Sequence, residues 1–238
     1  YRSAKKQMEQ AETILKAIEG DERIHARFEP TGTNTGRFSS KKPNLQNIGR
    51  GKLRSCFTPA DGNLLVVADY SQVELRVAAA IAGEKRMIEA YKNGVDLHRQ
   101  TASLVLDKPI EDITKEDRQL AKAVNFGLLY GQSAKGLVAY AKKAYGVEMD
   151  YERARDIRSR FFSAYTGLWE WHKNARKMAA EGAQSVRTVS GRVQWLPEGE
   201  EAKWPRFTSL LNPPVQGDSA DALKQAMVDL SDKLPHTA

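Results

Sequence analysis

From Ser71 to Glu181 the sequence reads as one helix after another, and this succession constrains the fold more than any other feature. The segments are Ser71–Ala82, Glu84–Lys92, Asp96–Leu106, Thr114–Tyr130, Ala134–Tyr145, Asp150–Ala164 and Thr166–Glu181. An opening helix, Arg2 to Ile18, stops at Gly20-Asp21. Arg23–Glu29 alternates polar and apolar residues like a strand. Asn63–Tyr70 is an apolar run ending on Asp69, the pattern of a strand buried on both faces. Val186–Trp195 reads as a hairpin turning at Ser190-Gly191, and helices at Lys203–Leu211 and Val215–Leu234 are separated by Asn212-Pro213-Pro214. A mainly helical middle between parts of a small sheet predicts an α+β fold. No repeat, low-complexity segment or flexible linker interrupts it.

Arg118, Lys122, Phe126 and Tyr130 recur every four residues, so on a helix they form one stripe about 18 Å long, drifting about 40° per step. Cations at one end and aromatics at the other suit a ligand with a polyphosphate tail and a flat base. The same spacing also describes surface cations and core aromatics, and both readings stay open. Gly127 and Gly131 weaken this helix locally, as a close approach to its backbone requires. Asp69, at a strand end, is either a Mg²⁺ ligand or the cap of the next helix. His98 is either structural or a donor to phosphate. Asn212 and Gln216, four apart around the two prolines, either cap helix ends or reach a common groove. The segment Pro30 to Asn44, rich in turn formers and hydroxyls and threaded with basic residues, is either a solvated loop or a contact to a nucleic-acid backbone.

The formal charge is +7, from 37 Lys and Arg against 30 Asp and Glu. That balance permits phosphate binding without demanding it. A single cysteine, Cys56, excludes an internal disulfide and a cysteine-based zinc site. It reads as a small buried hydrophobe beside Phe57. The longest apolar runs are too short to cross a bilayer, and no secretory signal opens the chain. The expectation is a cytoplasmic protein without membrane association, nucleoid-associated or in the host cytoplasm if viral.

Read together, these segments resemble a known family. Asp69-Tyr70-Ser71-Gln72-Val73-Glu74-Leu75-Arg76 is similar to motif A of family A DNA polymerases, and Arg118 through Gly131 resembles their motif B, the O helix of the fingers. Thr35-Gly36-Arg37-Phe38-Ser39-Ser40 and Pro43-Asn44-Leu45-Gln46-Asn47-Ile48 resemble the primer-template loop before motif A. Asp96-Leu97-His98-Arg99 and Asn212-Pro213-Pro214-Val215-Gln216-Gly217 follow in family order. Several long matches in order are specific where one short motif is not.

The resemblance implies a small antiparallel palm sheet with a mainly helical fingers subdomain. The palm part with motif A would take residues 1–83, the fingers 84–205, and a return to the palm 206–238. It implies DNA synthesis from dNTPs on primer-template DNA, with two Mg²⁺ ions. Asp69 would bind metal with the Tyr70 carbonyl. Arg118, Lys122 and His98 would hold the triphosphate, Lys122 also neutralising or protonating the leaving group. Phe126 and Tyr130 would stack near sugar and base, and Gln72 would contact the nucleotide. Glu74, paired with Tyr130, would exclude a ribose 2′-hydroxyl. Arg37, Asn44, Gln46, Asn47, Asn212 and Gln216 would contact DNA.

One motif departs from the pattern. The His-Asp-Glu of motif C, which supplies a second metal-binding Asp, has no counterpart after Leu234, and Asp218 stands where a small or hydroxyl residue is usual. The expectation is a catalytically incomplete portion of a polymerase, with motif C on a separate chain or lost to truncation. A catalytically inactive DNA-binding remnant is the alternative.

Overall fold

The computed structural model describes residues 2–49, 51–196 and 206–234. The chain divides into two compact units, Tyr1–Ser71 and Gln72–Ala238.

In the first unit, helix α1 (Arg2–Leu15) precedes a two-stranded antiparallel sheet of β1 (Arg27–Glu29) and β2 (Ser39–Lys41), with Phe28 opposite Ser40. A 3₁₀ turn at Leu45–Asn47 follows, then a short α2 (Lys52–Ser55). Gln10 Nε2 donates to the Asn47 carbonyl at 2.8 Å, tying α1 to that turn. The expected strand at Asn63–Tyr70 is absent. The segment is irregular, and Leu64, Val66 and Val67 are 80% exposed or more. An apolar run becomes a strand buried on both faces only with a partner to satisfy its backbone and layers to cover it. Among the described residues no strand pairs with it. Cys56 also departs from expectation. It is exposed, its Sγ donating to the Lys52 carbonyl one helical turn back.

The second unit is helical. It contains α3 (Val73–Ile81), α4 (Lys85–Lys92), α5 (Leu97–Leu106), α6 (Lys115–Leu129), α7 (Ala134–Tyr140), α8 (Tyr151–Ala164), α9 (Thr166–Ala180) and α10 (Arg206–Ser231), with a hairpin of β3 (Ser185–Arg187) and β4 (Val193–Trp195) before α10. The helix starts follow local chemistry. Asp96, Thr114, Ser133 and Asp150 each accept from a backbone N–H of the first turn of α5, α6, α7 and α8, which those groups otherwise lack. At α6 the Asp117 side chain also accepts from the Thr114 N–H, closing a capping box. Alpha geometry in α7 gives way to a π-helical turn at Ala141–Tyr145. The main core joins Leu75, Met87, Leu97, Leu128, Leu129, Leu137, Ile157, Phe161, Tyr165, Leu168 and Val215. The architecture is α+β.

Two helices were expected around Asn212-Pro213-Pro214, and the structure has one. Both prolines lie inside α10; the start expected near Lys203 lies outside the described residues. An interior proline costs about 3 kcal/mol in lost bonding and clash. Leu210, Leu211 and Val215, on either side of the pair, are all buried. Each such burial contributes roughly 1.5–3 kcal/mol, so packing balances the two breakers.

Candidate nucleotide and DNA site

The stripe expected on α6 is real. From Leu120 to Leu129 every residue is buried except Lys122 and Phe126, which are half-buried, as are Arg118 and Tyr130 at the two ends. The other faces of that stretch are committed to the core, which leaves this row as its accessible face. Its glycines serve packing. A Cβ on Gly127 would stand 3.0 Å from Leu137 and 3.2 Å from Tyr140, so α7 is what approaches the helix there. Gly131, at φ +82°, turns the chain out of the helix with Phe207 of α10 2.9 Å from where a Cβ would be.

Each end of the stripe is anchored. Arg118 Nε donates to Asp96 Oδ2 at 2.7 Å, both groups about one-third exposed. Asp96 Oδ1 accepts from the His98 and Arg99 N–H groups at the start of α5. Burial works against the charge on Asp96, yet the Arg118 guanidinium and these N–H groups hold its carboxyl below the usual range. At the other end the Tyr130 hydroxyl donates to Glu74 Oε2 in a short bond from α6 to α3.

His98 is 3% exposed, and its ring lies 6.1 Å from that of Phe126. Burial pulls its pKa down to about 4; Asp96 opposes this, while Arg118 and Lys122 add to it. At neutral pH the imidazole is uncharged. Its Nδ1 is 2.9 Å from Asn125 Nδ2, Asn125 Oδ1 accepts from the Thr101 hydroxyl at 3.0 Å, and Thr101 Oγ1 is 2.9 Å from the Tyr165 hydroxyl. Asn125, Thr101 and Tyr165 are fully buried. Nothing local marks them as a group, since their links span 24 to 64 residues; the one signal is an asparagine on the buried side of α6.

Gln72 precedes α3 in the left-handed region, φ +54°, with no side-chain cap to that helix. Its Oε1 accepts from the Tyr91 hydroxyl at 3.0 Å, and the Arg76 guanidinium lies 4.1 Å from the centre of the Tyr91 ring. Such backbone strain in a non-glycine residue gathers at functional positions. Because Gln72 occupies the N-cap of α3, Asp69 does not cap that helix. Asp69 is exposed in the irregular segment, as is Tyr70.

Asn212 and Gln216 lie one turn apart on α10, half-buried among buried neighbours. No helix ends there, so neither is a cap, and Asn212 Oδ1 is a buried acceptor without a hydrogen bond. Asp218 holds the turn between β3 and β4, where its Oδ1 accepts from the Val189 and Ser190 N–H groups at 2.9 and 3.4 Å. Asp221 completes the clamp, taking the Ser190 hydroxyl and Arg192 Nη2.

In the first unit Arg37, just before β2, and Asn44, Gln46 and Asn47, at the 3₁₀ turn after it, are all exposed. Asn44 Oδ1 accepts from the Gln46 N–H within the turn, and Gln46 Nε2 donates to the Phe38 carbonyl at 3.0 Å, which ties the turn to the segment before β2. Among the described residues no group of three or more His, Cys, Asp or Glu side chains comes together to hold a metal ion.

The family model for DNA polymerase family A matches residues 1–238. The chain belongs to this family. Two similar relatives are the DNA polymerase I of Aquifex aeolicus, 45% identical over 207 residues, and that of Caldicellulosiruptor bescii, 38% identical over 231 residues. The matches cover 87% and 93% of this family A chain but only 34% and 26% of those proteins. A solved structure, the POL domain of Pol1 from M. smegmatis in complex with DNA primer-template and dNTP, superposes with a TM-score of 0.85 at 31% identity. That match covers 98% of this chain and 41% of the other.

Proposed function

We propose that this chain serves template-directed DNA synthesis, the transfer of a nucleotidyl group from a dNTP to a primer 3′ end. One observation carries the reading: on α6, Arg118, Lys122, Phe126 and Tyr130 form a single half-buried row on a helix otherwise given to the core. Arg118, oriented by Asp96, and Lys122 bind the triphosphate oxygens, with His98 donating as a neutral group. Phe126 packs near the sugar and base. The Tyr130–Glu74 pair fills the space of a ribose 2′-hydroxyl and favours deoxynucleotides, while Tyr91 steadies Gln72 beside the nucleotide. Arg37, Asn44, Gln46 and Asn47 in one unit, and Asn212 and Gln216 in the other, are assigned to primer-template DNA. We keep the palm–fingers–palm division at residues 1–83, 84–205 and 206–238, and a cytoplasmic location, as part of this reading.

In the reaction the primer 3′-oxygen attacks the α-phosphorus in line, the bond to pyrophosphate breaks, and Lys122 neutralises or protonates the departing oxygen. Mg²⁺ is the cofactor of this reading: the Asp69 carboxylate and the Tyr70 carbonyl would hold it, and it would supply a lowered pKa for the attacking hydroxyl and an offset to phosphate charge. Those two oxygens suit one ion that takes its other ligands from phosphate and water. A clamp for two ions needs donors beyond these; in a second reading the chain is one half of a split polymerase whose other half supplies them, or a DNA-binding remnant that needs none.

Primer extension by this chain, with Mg²⁺ and four dNTPs, tests the proposal. Extension that falls about a hundredfold or more in Lys122→Ala and prefers dNTPs to rNTPs supports it. Extension only with an added chain carrying motif C supports the split enzyme. DNA binding with no dNTP binding under either condition leaves the remnant.

A further inference from the structure

The buried chain Tyr165–Thr101–Asn125–His98 has a direction. Thr101 has one hydroxyl hydrogen, and the chain of bonds can run in either of two senses. In one, Tyr165 donates to Thr101, Thr101 donates to Asn125 Oδ1, and Asn125 Nδ2 donates to His98 Nδ1. In the other every donor is reversed, and His98 Nδ1–H donates to Asn125 Oδ1. With His98 Nδ1–H donating, one buried hydroxyl hydrogen is left without an acceptor: that of Tyr165 if Thr101 donates to it, or that of Thr101 if Tyr165 and Asn125 both donate to its oxygen. An unsatisfied buried donor costs about 1–3 kcal/mol, so the forward arrangement prevails.

We infer that Tyr165, Thr101 and Asn125 are positioning residues that fix His98 in the tautomer with its proton on Nε2, so that it donates to an anionic triphosphate. This rests on the assignment of the α6 stripe to nucleotide binding. It explains how a neutral histidine contributes beside two cations. Charge would be costly there, whereas a fixed N–H is not, and the opposite tautomer would turn a lone pair toward the phosphate. Phe126 and the backbone of α5 hold the ring, and the relay sets its polarity. Fixing an imidazole tautomer through the hydrogen bond on its other nitrogen is the general way such a ring is given a role.

The test is long-range ¹H–¹⁵N correlation of the imidazoles in the intact chain at neutral pH, with His98 assigned by loss of its signals in His98→Gln. The expected result is the Nε2–H tautomer. Thr101→Val, which keeps shape and removes the hydroxyl, is expected to free the Asn125 amide to turn and to give a mixture of tautomers; Thr101→Ser restores the single form. If Thr101→Val does not fold, Asn125→Asp serves, because an acceptor facing Nδ1 draws the proton there. A wild-type Nδ1–H tautomer overturns the inference. So does an unchanged tautomer in a folded Thr101→Val or Asn125→Asp chain.

Titration with inorganic tripolyphosphate separates this inference from the reading beneath it. Thr101→Val is expected to weaken binding about tenfold or more, the scale of a lost hydrogen bond to a charged group, and to have no further effect in a His98→Gln background. An equal loss in both backgrounds means Thr101 does not act through His98, and the inference fails. A wild-type chain with the Nε2–H tautomer that binds neither tripolyphosphate nor dNTP refutes the nucleotide reading, and with it the purpose assigned to the relay. A wrong tautomer with intact binding refutes the relay alone.

Discussion

Two histidines buried without charge should make the helical unit labile to mild acid. His98 and His172 are 3% and 0% exposed, and burial is the main cause that pulls each pKa from 6.5 to about 4. Around His98 stand Asp96, which favours its charge, and Arg118 and Lys122, which oppose it. Around His172, whose Nε2 lies 3.1 Å from the Leu129 carbonyl at the end of α6, stand Arg158 and Arg176, both opposing charge. The unfolded chain takes up a proton on each imidazole as pH falls through 6.5, while the folded chain refuses it until about 4. The unfolded state therefore binds more protons between these values, and stability present above pH 6.5 is lost as pH falls toward 4. From pH 7 to pH 5 each histidine removes about 2 kcal/mol, about 4 kcal/mol together, a large part of the usual 5–15 kcal/mol. The carboxylates held low, Asp96 and Asp117, lose their contribution only at lower pH and leave this window to the histidines. Urea unfolding at stepped pH reads the effect through Trp169 and Trp171, which pack on Phe162 and on His172. The expected slope near pH 5.25 is about 2.4 kcal/mol per pH unit, and His172→Gln should halve it. A change below about 1 kcal/mol between pH 7 and 5, or an unaltered slope in His172→Gln, would refute the reasoning.

Thr114→Ala opens the capping box of α6 and should cost about 1 kcal/mol in chemical denaturation; an unchanged midpoint would show that tertiary packing alone holds the start of that helix. Gly131→Ala forces a side chain into the left-handed region and against Phe207, so a loss of more than about 1 kcal/mol is expected, and a neutral result would mean that the turn before α7 relaxes freely. Asp218→Ala frees the turn between β3 and β4, and the Val189 and Ser190 amides should exchange with solvent faster by at least tenfold, on the order of the one hydrogen bond each loses; unchanged exchange would assign the hold to Asp221 alone.

The sequence by itself determined what depends on near neighbours. Asp96, Thr114 and Asp150 stop backbone N–H groups within three residues of themselves, so the starts of α5, α6 and α8 were legible to a residue or so. The stripe from Arg118 to Tyr130 follows from helical pitch alone. The likeness of Asp69–Arg76 and Arg118–Gly131 to family A motifs pointed to the family before any coordinate. Tertiary structure decided what depends on distant partners. The double proline at Pro213-Pro214 reads as a break, yet burial of Leu210, Leu211 and Val215 carries α10 through it. Asn63–Tyr70 has the composition of a buried strand, and without a pairing strand among the described residues it stays irregular and exposed. Gly127 read as an opening for a ligand, and the helix that fills it is α7. The line of hydrogen bonds from Tyr165 to His98 joins α5, α6 and the junction between α8 and α9; a side chain's partner across the core is set by how helices pack, which no local spacing records.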